Sequence, residues 1–158
     1  MAGLAGCRKG NAQMNSIAVK ILKEGAKLPT YGSAEAAGAD LYACLEEDVI
    51  IEPGKTAFIP TGFAMAVPKG CAGLIYARSG LACKRGLAPA NKVGVIDSDY
   101  RGEIMVALHN HGTEPQRISH GERIAQMVIT PVLTPDYQIS ETLDDTGRGE
   151  GGFGSTGR

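Results

Sequence analysis

Residues 103–129, EIMVALHNHGTEPQRISHGERIAQMVI, decide the fold class. Ile104, Val106 and Leu108 alternate with Glu103, Met105 and Ala107. A period of two sends successive side chains to opposite faces, so the run reads as a β-strand with one face on a core. His111-Gly112-Thr113-Glu114-Pro115 and Ser119-His120-Gly121-Glu122 follow as two turn clusters. Beyond them Ile124, Gln126 and Val128 interleave with Ala125, Met127 and Ile129, which reads as a strand buried on both faces.

The same pattern recurs outward along the chain. Ile17, Val19 and Ile21 alternate with Ala18, Lys20 and Leu22, and Phe63, Met65 and Val67 with Ala64 and Ala66. Glu52-Pro53-Gly54-Lys55 and Pro68-Lys69-Gly70 punctuate the intervals. Many short strands at regular spacing predict an all-β sandwich or barrel. Only Ser79–Arg85 (SGLACKR) has helical propensity, with Ser79 as the expected N-cap and Gly86 as the stop.

With 158 residues, 43% of them hydrophobic, the chain supports one globular domain. The expected organisation is a disordered leader (1–15), a β-domain (16–140) and a flexible C-terminal arm (141–158). A net charge of −1 provides no broad basic surface for duplex DNA or an anionic membrane. No apolar run reaches membrane-spanning length, and residues 1–15 lack the apolar stretch of a secretory signal. The four cysteines (Cys7, Cys44, Cys71, Cys83) form no CxxC pair and read as free thiols. A cytoplasmic protein is expected, with organellar or nuclear placement left open.

Several stretches could carry chemistry. ARSGLA (77–82) opens the short helix, where unpaired N–H groups, Arg78 and the Ser79 hydroxyl suit an anion, although a simple cap beside a solvated Arg accounts for them equally. NKVGVIDSDYRGE (91–103) combines Gly94, expected to permit a bend, with Asp97, which could orient a water as general base. Asp99 would share a strand face with Asp97, so a carboxylate pair or a metal site is one reading and a solvated turn the other. Asp40 lies between small residues and a strand start. Gln126, in an apolar alternation, is either a hydrogen-bond node or a ligand contact. His109 and His111 have chelate spacing but no evident third ligand. The arm, RGEGGFGSTG (148–157), is half glycine yet carries a guanidinium, an aromatic ring and two hydroxyls, which suits either a solubilising tail or a segment that orders over a nucleotide. No Ser-His-Asp logic and no P-loop signature is present.

Taken in order, AGADLYA (37–43), ARSGLA (77–82), NKVGVIDSDYRGE (91–103), GERIAQM (121–127) and RGEGGFGSTG (148–157) resemble the five motifs of the trimeric dUTPase family. The resemblance implies a jelly-roll-like β-barrel with one short helix, assembled as a homotrimer with active sites at subunit interfaces. It implies conversion of dUTP to dUMP and diphosphate with Mg²⁺ on the triphosphate, supplying a dTMP precursor and keeping uracil out of DNA. Asp97 matches the general base. Tyr100 matches the residue packed under deoxyribose. Asn91 and Gly94, Val95 and Ile96 match the hairpin that reads uracil, and Met105 counts among the substrate contacts. Arg78, Ser79, Gly80 and Gln126 match phosphate contacts, and Asp40 an acid acting on the metal through water. In the arm, Arg148 matches a γ-phosphate contact, Phe153 a ring stacked on uracil, and Gly154, Ser155 and Thr156 contacts along the phosphates. Two other readings are a deaminase of dCTP on the same fold and a non-catalytic nucleotide sensor. The Asp-containing hairpin and the complete arm argue against both.

Overall fold

The structure is a computed structural model that describes residues 16–152. Its strands are β1 (Val19–Ile21), β2 (Thr30–Tyr31), β3 (Ala39–Tyr42), β4 (Val49–Ile51), β5 (Thr56–Pro60), β6 (Phe63–Met65) and β7 (Cys71–Tyr76). Helix α1 (Ser79–Arg85) follows, then β8 (Leu87–Pro89), β9 (Gly94–Ile96), β10 (Met105–Asn110), β11 (Gln116–Ile118) and β12 (Arg123–Pro131). All pairings are antiparallel, and the largest sheet has the order β2-β3-β12-β7-β9. A second sheet, β5-β10-β8, and the pairs β1-β6 and β4-β11 complete the body. Neighbours so far apart in sequence require long crossovers, as in a jelly roll. The expected all-β fold with one short helix is what forms.

The core has the residues that the alternation selects. Ile104, Val106 and Leu108 are buried from β10 and the residue before it, and Phe63, Met65 and Val67 from β6 and its continuation. Leu41, Ile51, Ile59, Ile118 and Ile124 meet them from the other strands. Two expectations change. Ile21 is 50% exposed at the edge of its two-stranded pair, so the first alternation is only partly buried. In β12 the register slips between Arg123 and Ala125. The bulge buries Ile124 and Ala125 together, while Gln126 and Val128 remain half-buried.

Helix α1 has the expected span but a different cap. Arg78, extended at φ −92° and ψ 132°, is the N-cap, makes no side-chain cap bond, and leaves Ser79 as the first helical residue. Gly86 ends the helix in the left-handed region (φ 64°), as expected, with its N–H donating to Ala82 O at 3.1 Å. Cys44, Cys71 and Cys83 are free thiols. No helix among the described residues is long and apolar enough to cross a membrane.

One fully buried amide ties β10 to β4 and to the turn that follows it. Asn110 is fully buried; its Nδ2 donates to Ile51 O and Glu114 O, both at 2.8 Å, and its Oδ1 accepts from Gly112 N at 2.9 Å. Removing the amide leaves these backbone groups without partners. Asn110→Ala should therefore destabilise the fold by about 2–4 kcal/mol. Urea unfolding, followed by circular dichroism, checks this, and a change below about 0.5 kcal/mol would show the amide to be dispensable.

Candidate active site

Two groups of predicted residues form, at opposite ends of β7. The first surrounds Asp40. In the ladder Gln126 faces Asp40 of β3 on one side and Tyr76 of β7 on the other. Asp40 is only 9% exposed, and both its oxygens are engaged. Arg78 Nε donates to Oδ1 at 2.7 Å and Arg123 Nη1 to Oδ2 at 3.3 Å. Gln126 Nε2 donates to Ala77 O at 2.9 Å, which fixes the turn from β7 into α1. Both readings of Gln126 begin from this node. Ser79 and Gly80 stand exposed at the start of α1, with nothing within 4 Å of where a Gly80 side chain would project.

The far end of α1 is tied down by a residue that the sequence reading did not single out. Arg85 Nε donates to Gln116 Oε1 at 2.9 Å, while its two Nη groups reach Glu122 Oε1 and Arg117 O. Glu122 Oε2 also accepts from Ser119 N at 3.1 Å. The helix that presents Ser79 and Gly80 is thus anchored to the turn before β12.

The second group lines a cavity of about 350 Å³. Asn91, Val95, Ile96, Asp97, Tyr100 and Met105, all expected site residues, contribute to it, joined by Phe58, Glu103 and Ala107. Phe58 and Ala107 are cross-strand partners, and Ala107 shares with Met105 the face of β10 turned away from the core. The alternation already marked Met105 and Ala107 as non-core positions, but nothing local to Phe58 signalled its pairing. Strand β9 is the edge of its sheet, so one side of its backbone has no strand partner.

The turn into β9 differs from expectation. The left-handed residue is Lys92 (φ 64°), whereas Gly94 does not have positive φ. Gly94 answers a close approach instead: a Cβ there would lie 3.2 Å from Ile75 Cβ and 3.4 Å from Asn91 Nδ2. After Ile96 the strand ends, and Tyr100 N donates to Asp97 O at 3.2 Å. Asp97 and Asp99 therefore lie in a turn and not on one strand face. Tyr100 Oη donates to Glu103 O at 3.0 Å, and its ring fills the space over Gly102, where a Cβ would be 2.6 Å from Tyr100 Cζ.

Metal chemistry finds no protein cage: no group of three or more His, Cys, Asp or Glu among the described residues could hold an ion. His109 Nδ1 lies 2.9 Å from Thr56 Oγ1, and its ring packs edge-on against His111 at 4.4 Å between centroids.

The distance between the two groups follows from register. Gly73 pairs with Ile96, so Asp97 leaves the strand at about the Ala72 level of β7, while Arg78 lies past its other end at Tyr76. Four strand steps separate Ala72 from Tyr76, roughly 13 Å at the rise of about 3.3 Å per residue, before the chain turns into α1. Arg148 joins neither group; its Nε donates to Gly151 O at 2.7 Å. Phe153, Gly154, Ser155 and Thr156 lie outside the described residues, as does the leader (1–15).

Comparison with known proteins shows the family. The dUTPase family model matches residues 24–157. The deoxyuridine 5'-triphosphate nucleotidohydrolase of Desulfitobacterium hafniense (strain DSM 10664 / DCB-2) is 54% identical over 149 residues, covering 91% of this chain and 99% of its own. That of Syntrophotalea carbinolica is 49% identical over 142 residues, covering 90% and 97%. Among solved structures, a mutant of the Staphylococcus bacteriophage 80alpha dUTPase with dUpNHpp superposes with a TM-score of 0.84 at 31% identity, covering 91% of this chain and 99% of its own. The relatives are hydrolases, which favours hydrolysis over the deaminase and sensor readings. The chain belongs to the dUTPase family, and its reaction is the hydrolysis of dUTP.

Proposed function

We propose that the two groups are the halves of one active site contributed by different copies of the chain, in a homotrimer. The observation that carries this reading is that register places Asp97 and Arg78 of the same chain at opposite ends of β7, whose Ala72–Tyr76 span alone is roughly 13 Å. A general base must lie within hydrogen-bond reach of the attacking water. A triphosphate gripped at Arg78, Ser79 and Gly80 of one copy would therefore meet Asp97 of another.

Within such a site the hairpin half selects and attacks. The unpaired edge of β9, with Asn91, offers donors and acceptors to uracil, and a base with the wrong pattern would strand buried polar groups. Tyr100, held by Glu103 O and seated on Gly102, presents its ring to the sugar and leaves no room for a 2′-hydroxyl. Asp97 takes a proton from water as the water oxygen bonds to the α-phosphorus and the bond to the bridging oxygen breaks, releasing diphosphate. The other half neutralises the leaving charge through Arg78 and the open N–H groups of α1. With no protein cage, Mg²⁺ would arrive on the triphosphate as part of the substrate. Asp40, with both oxygens on guanidinium groups, would touch its shell through water only. Bound there, the ion would offset phosphate charge.

The arm completes the proposal. Residues 132–152 contain no helix or strand, and Leu133, Tyr137, Ile139 and Leu143 are each at least 88% exposed. Such side chains suit a segment that crosses to another copy and carries Arg148 and the residues beyond it over the nucleotide, shutting out water.

Asp97→Asn should lower kcat about 10²- to 10⁴-fold while affinity for a non-hydrolysable dUTP analogue stays within a few-fold; unaltered turnover would remove Asp97 from the chemistry. Co-refolding inactive Asp97→Asn with inactive Arg78→Ala at equal amounts should restore about a quarter of wild-type sites, since each lesion then sits in a different half. A mixture that stays inactive while forming mixed trimers would place both halves in one chain. Truncation after Asp145 should cut kcat/KM by about 100-fold or more with thermal unfolding unchanged; full activity would make the arm a simple tail.

A further inference from the structure

We infer that Arg123 is a second phosphate-binding guanidinium, brought onto the substrate face by the bulge in β12. This rests on the proposed phosphate role of the Asp40 end. In an uninterrupted strand, Arg123 would share a face with Ala125, which is fully buried, and Gln126 would point the other way. The slip changes that parity. Arg123 faces Tyr42 and Gln126 faces Asp40, and Tyr42 and Asp40 lie two apart on β3, on one face. Three residues on β12 thus span two on β3, Ile124 turns into the core, and Arg123 joins Gln126. Re-aiming a side chain in this way is a recurrent use of bulges beside functional sites.

The electrostatics point the same way. Arg78 spends Nε and Arg123 spends Nη1 on opposite oxygens of one carboxylate. Among the described residues, their other guanidinium N–H groups have no hydrogen-bond partner. The Arg123 side chain is 54% exposed, accessible to a ligand. Lys27 lies close by, its Nζ 5.4 Å from the centre of the Tyr42 ring that pairs with Arg123. Two guanidinium groups thus share one carboxylate, with Lys27 over the neighbouring Tyr42 ring, leaving an excess of positive charge and two planar forks with a common anchor. An ion pair made only to neutralise Asp40 would need one guanidinium. A pair with outward donors suits a polyphosphate, whose adjacent oxygens accept bidentate bonds.

The test compares wild type, Arg123→Gln and Arg123→Lys in the full-length protein. For Arg123→Gln, KM for dUTP should rise about tenfold, with kcat within about threefold. Inhibition by inorganic diphosphate should weaken in parallel, whereas inhibition by deoxyuridine, which has no phosphate, should not change. Arg123→Lys, which keeps charge but loses the fork, should recover part of the loss. A wild-type KM in Arg123→Gln, or equal weakening of diphosphate and deoxyuridine, would overturn the inference, the latter by revealing a merely structural role. Should Arg123→Gln fail to fold, Arg123→Lys decides alone: a raised KM with unchanged deoxyuridine inhibition supports the inference, and a wild-type KM overturns it. If diphosphate fails to inhibit the wild-type protein competitively with dUTP, the phosphate reading of this end falls instead, which separates the two failures.

Discussion

Strand β7 is hydrogen-bonded on both edges, to β12 on one side and β9 on the other, and this constraint governs the site. A strand held on both edges can neither shorten nor slip without reversing every side chain along it. Its tight fit reinforces the register: a side chain at Gly73 would press on Met127 Sδ at 3.2 Å and on Ile96 Cβ at 3.3 Å. Arg78 leaves one end of this rod, and Asp97 follows the strand paired near the other. The two groups therefore cannot converge by bending within a chain. In the proposed trimer, a site that uses both is a matter of assembly.

The Asp40 end shows how charge is kept usable in a half-buried setting. A carboxylate with little exposure would be costly alone, and two guanidinium groups offset that cost while remaining solvated on their outer sides. Arg78 is aimed by this contact, and Gln126 fixes the carbonyl immediately before it. Arg85, at the opposite end of α1, restrains the helix as a lever restrained at both ends. Pre-aimed donors need little reorganisation when a phosphate arrives, which is where such sites gain their electrostatic advantage.

The barrel was legible wherever alternation met a single core. Ile104, Val106 and Leu108 gave a strand with the correct inward face because nothing interrupts their period. The family was legible too, in the order of the short motifs. What could not be read was anything set by contacts distant in sequence. The slip at Ile124 leaves the apolar pattern of 124–129 intact while changing which residues share a face, so Arg123 drew no notice. Gly94 looked like a hinge, yet the backbone turns at Lys92 and the glycine makes room for Ile75. Ser79 looked like a cap, but the extended residue at the helix start is Arg78, whose side chain is occupied by Asp40 across the sheet. ARSGLA and the Asp97 hairpin lie close along the chain but are carried to opposite ends of β7 by antiparallel pairing.

That division bears on how selectivity and chemistry are coupled. The hairpin half is pinned by short-range contacts, Tyr100 to Glu103 and Glu103 in turn to Gly62 N at 2.9 Å and Lys23 at 3.4 Å. Base and sugar would be judged against a surface that is rigid before any nucleotide binds. In that proposal the phosphate half is likewise held in place, by the Asp40 ion pairs and by Arg85, but on another element. In the proposed trimer, substrate spans the two, and a nucleotide whose base or sugar fits poorly would displace its α-phosphorus from the line between Asp97 and the partner's cations. Because neither half can yield, the misfit appears as lost alignment at the reacting atoms, and an error of about 1 Å is enough to cost roughly 100-fold in rate. In that proposal, preorganisation in two separate copies would let recognition at the base control chemistry at phosphorus.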